Sequence, residues 1–218
     1  MKIVDIVIPT RKRLHKLVNT IKSLYDFPHE HIHVVFDGDE VGYKDFRKIY
    51  PMVNVTLMVG HNGSVSCRNA VIKKVVTDGL LYATDDVIFH QGSVVLAIKT
   101  INEKFPDGDG VVGFYQDGVN ESFHPAGVAL LGRKFLDRYP GRKLFNPDYF
   151  HFACQEIHWY AERLNKFYLE PQAILFHKHP CFYKEEMDEC HIDARIHKTK
   201  DHNLIRDRKT LKKIWPLG

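Results

Sequence analysis

Apolar positions along the chain switch between two spacings, and the switches mark out its elements. Residues 2–8 are a β-branched run that stops at Pro9 and Thr10, as a buried strand ending in a loop would. Leu14, Leu17, Val18, Ile21 and Leu24 then recur at helical spacing on one face. Residues 31–36 predict a second strand, which enters the acidic turn Asp37-Gly38-Asp39-Glu40 and a short helix over 43–49 that Pro51 ends. A third strand is expected over 53–59. Ser64 stands as an N-cap before a helix over 65–76. The stretch 79–89 reads as two short apolar strands on either side of Asp85 and Asp86. Val94, Ile98, Ile101 and Phe105 share a helical face, and a further strand is expected over 111–115.

The texture then changes. Residues 117–125 are irregular, 127–131 strand-like, and 135–148 rich in Arg, Gly and Pro. Asn146-Pro147-Asp148 is placed to open a helix reaching Leu164, with Ile157, Tyr160, Ala161 and Leu164 as its buried stripe. A last strand over 172–176 delivers His177 and His179. Alternating strands and helices predict an α/β fold with a mostly parallel sheet flanked by helices, its ligands gathering beyond the strands' carboxyl ends. Thr10, Asp37, Asp85 and Asp86 all fall there. With no repeat or linker, residues 1–180 read as one domain, with halves 1–115 and 116–180, and 181–218 as a basic extension packed on or closing over the site.

Composition changes this picture little, with 44% hydrophobic and 27% charged residues, as in ordinary folded chains. No apolar run approaches the length of a signal peptide or membrane span, so a soluble, cytoplasmic protein is expected. Cys67, Cys154, Cys181 and Cys190 are scattered without a C-x-x-C pair, which implies reduced thiols. Charge matters more. The net charge is +4, and from residue 194 onward eight Lys or Arg stand against Asp201 and Asp207 alone. An anionic partner or a solvated helix face would each account for that excess.

The chemistry centres on Asp85 and Asp86. Adjacent carboxylates repel unless a cation or a hydrogen-bond network offsets them, which points to a divalent metal holding phosphate; a solvated turn is the alternative. His191, His197 and His202 with Cys181 and Cys190 match no metal-binding spacing.

Several segments in order resemble a GT-A fold glycosyltransferase similar to the inverting family 2. They are Ile6-Val7-Ile8-Pro9-Thr10-Arg11, Gly63-Ser64-Val65-Ser66-Cys67-Arg68-Asn69-Ala70, Thr84-Asp85-Asp86, and Gln155-Glu156 followed by Arg163, Tyr168, Pro171 and His177. The likeness covers roughly residues 3 to 180. It implies a nucleoside diphosphate sugar donor, a UDP-sugar above all, and Mn²⁺ or Mg²⁺ as cofactor. Asp86 and His177 would hold the metal and Asp85 the ribose or the metal's water shell. Pro9, Thr10, Arg11, Asp37 and Arg68 would line the nucleotide pocket, and Glu156 would be the base for transfer with inversion. His179, Arg206 and Arg208 would serve as lid or phosphate contacts. Two departures stand out. Thr84 occupies a place where the family often has an acid, and Gln155-Glu156 replaces a Glu-Asp pair.

For the acceptor, a basic tail on a compact chain suits a hydroxymethylated pyrimidine in DNA, as in a phage enzyme acting in the host cytoplasm; Phe182, Tyr183 and Trp215 would stack on bases or on sugars, or simply pack. A bacterial surface glycan or lipid-linked acceptor is the alternative. A nucleotidyltransferase would carry a glycine-rich, Lys-containing loop after the first strand, and Pro9-Thr10-Arg11-Lys12-Arg13 is not one. A non-catalytic nucleotide-sugar-binding protein on the same fold is the remaining rival.

Overall fold

A computed structural model describes residues 3–116, 125–180 and 186–217. At its centre is β1 (Val4–Thr10), every residue of which is buried. Such a strand must be covered on both faces, and its alternating side chains feed two cores. Val4, Ile6 and Ile8 join Leu17 and Ile21 of α1 (Leu14–Ser23), Phe46 of α2 (Glu40–Ile49) and Ile98 of α4 (Ser93–Lys104). Val7 points the other way, to Val65 and Val71 of α3 (Gly63–Ile72), Phe135 of α5 (Arg133–Leu136) and Ile157 of α6 (Cys154–Arg163).

The remaining strands are β2 (Ile32–Asp37), β3 (Asn54–Met58), β4 (Gly79–Tyr82), β5 (Val87–Phe89), β6 (Val111–Gln116), β7 (Ala129–Gly132) and β8 (Phe167–His177). Among the described residues they form one eight-stranded sheet in the order β3-β2-β1-β4-β7-β6-β8-β5. β1 pairs in parallel with β2 and β4, β2 with β3, and β6 with β8, whereas β7 runs antiparallel to β4 and β6, and β5 to β8. The mostly parallel α/β sheet expected from the alternation is therefore present. Its parallel half brings the carboxyl ends of β1, β2 and β4 to one edge.

Three elements differ from expectation. Ser64, expected as the N-cap of a helix over 65–76, lies inside α3, which starts at Gly63 after the N-cap Asn62 and ends at Ile72. The helix expected from Asn146 begins only at Cys154. The backbone N–H groups of Phe150, His151 and Phe152 instead donate to Asp201, at 3.0, 2.8 and 3.1 Å, a partner fifty residues away that local sequence cannot supply. The strand expected over 172–176 starts earlier, at Phe167, and runs through Pro171. A register shift in its pairing with β6, between Phe114 and Tyr115, absorbs the proline that would otherwise break the ladder.

The basic extension forms α7 (Glu189–Thr210), capped by Asp188, whose side chain accepts from the His191 N–H. Among the described residues no helix is long and apolar enough to cross a membrane. Cys181, Phe182, Tyr183 and the irregular stretch 117–124 lie outside the described residues.

Candidate active site

The carboxyl ends of β1, β2 and β4 each deliver polar residues that are buried: Thr10, Asp37, Asp85 and Asp86 are all 5% exposed or less. Burial of that many polar groups is tolerated only because each is bonded. Thr10 donates its hydroxyl to Asp85 Oδ2 at 2.7 Å, and Thr84 donates to Asp86 Oδ1 at 2.7 Å. Thr84, where an acid was looked for, thus serves the acid pair as a donor.

Asp37 ends β2 by accepting from the Asn62 N–H at 2.7 Å through Oδ1 and from the Gly63 N–H at 3.0 Å through Oδ2. These bonds fix the start of α3. Gly63 is required there: its φ is +79°, and a Cβ would lie 2.6 Å from the Phe150 carbonyl oxygen. Pro9 pairs with Val35 inside the sheet, and Arg11 donates from Nη1 to the Asp37 carbonyl at 3.0 Å. Arg68 is buried and donates to the Ala83 carbonyl at 3.1 Å, with its guanidinium 5.2 Å from the centre of the Phe145 ring. Burial pulls its pKa down, and its Nε has no hydrogen-bond partner. A buried guanidinium with no described carboxylate partner and a spare N–H is suited to an incoming anion.

The acid pair has a cation that the sequence reading overlooked. Arg13 Nη1 lies 3.1 Å from Asp85 Oδ1 and 3.3 Å from Asp86 Oδ2, and its Nη2 lies 2.7 Å from Asp188 Oδ1 at the head of α7. Burial works against this guanidinium's charge, but Asp85 and Asp86 outweigh it and raise its pKa. The same arrangement splits the two acids. Burial lifts the Asp85 carboxyl against the pull of Arg13. For Asp86 burial is outweighed by His177, His191 and Arg13, which hold it well below the usual carboxylate range.

Both histidines aim at Asp86. His177 Nε2 is 3.2 Å from Oδ1 while its Nδ1 meets the Gln116 amide oxygen at 3.1 Å; His191 Nε2 is 3.8 Å from Oδ2 while its Nδ1 is 2.8 Å from Asp188 Oδ1. In each ring Nε2 faces an oxygen of Asp86, and His191 Nδ1 also receives the Asp188 N–H at 3.3 Å. His191 Nε2 is buried with no hydrogen-bond partner. One carboxylate and two imidazoles are a donor set that could serve Mn²⁺, and suit the oxygen-preferring Mg²⁺ less well. As the side chains stand, however, no group of three His, Cys, Asp or Glu among the described residues is closed up to hold a metal. His179 packs 4.8 Å from the His191 ring, and burial pushes its pKa down to about 4.

Glu156 lies on α6, 2% exposed, and is fully engaged. Tyr149 donates to it at 2.5 Å, Arg208 from Nε and Nη2 at 2.6 and 3.0 Å, and the Trp215 N–H at 2.5 Å. Arg206 is exposed and its ion pair is with Asp207, at 3.5 Å, so it stands apart from these groups. A further cluster covers the Asp37 loop, where His61 Nε2 lies 3.0 Å and His151 Nε2 3.6 Å from Asp193 Oδ2. Asp193, Asp188 and His191 come from α7, which local patterning marked only as basic.

Comparison with known proteins adds the following. The sequence model of the glycosyltransferase family 64 domain matches residues 4–122. No curated protein sequence matches the chain. Among solved structures, the mannosyltransferase PcManGT of Pyrobaculum calidifontis, in complex with GDP-Man and Mn²⁺, superposes with a TM-score of 0.62 at 16% identity, over 80% of this chain and 56% of that one. TarS of S. aureus gives 0.66 at 16% identity, over 81% and 60%. Its complex with UDP-GlcNAc gives 0.66 at 16%, over 86% and 60%. The likeness is one of fold, the GT-A fold of these transferases, and the chain spans little more than half the length of either protein.

Proposed function

The chain belongs to the glycosyltransferase family 64 domain family, and from that premise we propose that it moves a sugar from a nucleoside diphosphate sugar to an acceptor hydroxyl. The observation that carries this reading is the convergence of Thr10, Asp37, Asp85 and Asp86 at the carboxyl ends of three neighbouring parallel strands. Asp37, at the end of β2, accepts from the nucleotide base. Pro9, Thr10 and Arg11 border the base and ribose, and Arg68 offers its unpartnered Nε to the diphosphate. Asp85 takes the ribose.

A divalent cation, when bound, offsets the charge of the diphosphate as it leaves. Asp86 and His177 would hold it, with His191 beside them. Two solved neighbours carry nucleotide sugars, and one of them carries Mn²⁺. Glu156 is the base that takes the acceptor's proton, which gives transfer with inversion. It acts once Arg208 and Trp215 have lifted from it, because every bond it now makes uses an oxygen the acceptor hydroxyl needs. A hydroxymethylated pyrimidine in DNA is the acceptor we propose, supported by the exposed cations of α7 and the residues after it, Arg195, Lys198, Lys200, Arg206, Lys209, Lys212 and Lys213.

The test is a thermal-shift screen of UDP- and GDP-sugars with and without Mn²⁺, followed by mass spectrometry of candidate acceptors. At least one donor raises Tm in a Mn²⁺-dependent way, and Asp86→Asn abolishes the Mn²⁺-dependent part. Glu156→Gln keeps that shift and loses turnover by about 10²-fold or more. Stabilisation indifferent to Mn²⁺ ends the metal assignment, and near-normal turnover of Glu156→Gln ends the base assignment.

A further inference from the structure

Arg13 answers a problem that any buried acid pair poses. Two adjacent carboxylates, 4% and 5% exposed, need a positive charge when no ion is present, or their repulsion opposes folding. Arg13 supplies that charge from one nitrogen, Nη1, which reaches both acids. Its second nitrogen, Nη2, is already committed elsewhere, to Asp188 Oδ1 at 2.7 Å, so the guanidinium has a landing place outside the pair. The oxygen it touches on Asp86, Oδ2, is also the one toward which the unpartnered His191 Nε2 points. One carboxylate oxygen is thus claimed by a resident cation and faced by a buried imidazole nitrogen. The arginine Nε is buried without a partner, so the side chain is held by its two ends and not by its middle.

We propose that Arg13 is a resident counter-cation that competes with the divalent ion for Asp86, and that the ion's arrival shifts the guanidinium off Asp86 and wholly onto Asp188 at the head of α7. This rests on the reading that a divalent ion binds at Asp86. It goes further in assigning the specificity of that site to a residue that never touches the ion. Two cations on one carboxylate oxygen repel each other, so the arginine raises the affinity the ion must bring before it enters. Because Asp188 is also the N-cap of α7, ion occupancy and the hold on α7 become linked at a single carboxylate, and the linkage is reciprocal.

The experiment uses Mn²⁺ alone as probe, following loss of the free-ion signal by electron paramagnetic resonance as the full-length chain is titrated. Arg13→Gln is expected to bind Mn²⁺ at least tenfold more tightly than the wild type. It should also show a lower Tm without the ion and a larger rise with it. Lys12→Gln removes the same charge one residue away, where Lys12 pairs with the exposed Glu189, and is expected to change the affinity less than twofold. The reverse perturbation is Asp188→Asn, which keeps a capping side chain but takes away the landing place. It is expected to weaken Mn²⁺ binding several-fold more than Glu189→Gln, the same charge change at the next residue.

If Arg13→Gln binds Mn²⁺ no more tightly than the wild type, the competition is overturned while the metal reading of Asp86 stands. If neither the wild type nor Arg13→Gln takes up Mn²⁺, the metal reading has failed and this inference fails with it. Should Arg13→Gln not fold, the Asp188→Asn and Glu189→Gln pair decides the matter, and equal effects of the two overturn the proposal.

Discussion

A single titrating side chain shows how this site couples to stability. His151 is largely buried, near Asp193 and Ser64, and burial lowers its pKa to about 4 from the ordinary 6.5. A histidine held neutral in the fold favours folding above its unfolded pKa and loses that contribution as pH falls from about 6.5 toward about 4. The stability of the wild type should therefore decline across that window, by at most about 3 kcal/mol from this residue. In His151→Gln the decline flattens between those limits, which urea denaturation at a series of pH values checks. The residue scale also explains what local reading found and missed at the acid pair. Asp85 and Asp86 stood out because carboxylates seldom follow an apolar run without purpose. Their partner Arg13 did not, because Arg11, Lys12 and Arg13 are three adjacent cations and only the path of the chain after β1 decides which of them turns inward.

Helix α7 is the element whose role most exceeds its sequence pattern. Its period carries almost no apolar face, and only His191 and Asp201 of its residues are buried. Its charged attachments include Asp188 to Arg13, Glu189 to Lys12, Asp193 to His61, Asp201 to the N–H groups of residues 150–152, and Arg208 to Glu156. The last of these is an ion pair in dry surroundings. Arg208 and Glu156 side chains are 12% and 2% exposed, so removing one partner strands a buried charge. Arg208→Met should cost about 3–5 kcal/mol in urea unfolding, by the usual penalty for breaking a buried pair. Adding Glu156→Gln to it should recover a good part of that loss, since both charges are then gone. A double mutant no more stable than Arg208→Met would mean that the pair is held for reasons other than charge.

At the scale of the whole molecule, net charge of +4 is concentrated where α7 and the residues after it face solvent. Anion binding through such a surface releases counterions, so affinity for a DNA acceptor should fall steeply with added salt. With three to five phosphate contacts, raising salt from 50 to 200 mM should weaken binding by roughly 40–500-fold. Fluorescence anisotropy with a short duplex measures this, and binding that is insensitive to salt removes the support that α7 lends to a DNA acceptor.

The alternation of apolar runs was enough to determine the α/β class, the order of the parallel strands' polar ends, and the positions of Thr10, Asp37, Asp85 and Asp86. These are short-range consequences of period 2 and period 3.6, and each strand end can be read without knowing its neighbours. The likeness to a GT-A glycosyltransferase was legible in the same way, from short motifs kept in order, and the family whose model matches residues 4–122 is family 64. What local pattern did not contain was every contact made across long sequence distance. The late start of α6 follows from Asp201, the extension of β8 through Pro171 from its register with β6, and the neutralisation of the acid pair from Arg13 with Asp188. Glu156 is the sharpest case. The sequence placed it on a helix as the expected base, and the tertiary structure surrounded it with Tyr149, Arg208 and Trp215. Buried charges take their partners from wherever the fold brings them, and so tertiary structure alone decided the electrostatics of this site.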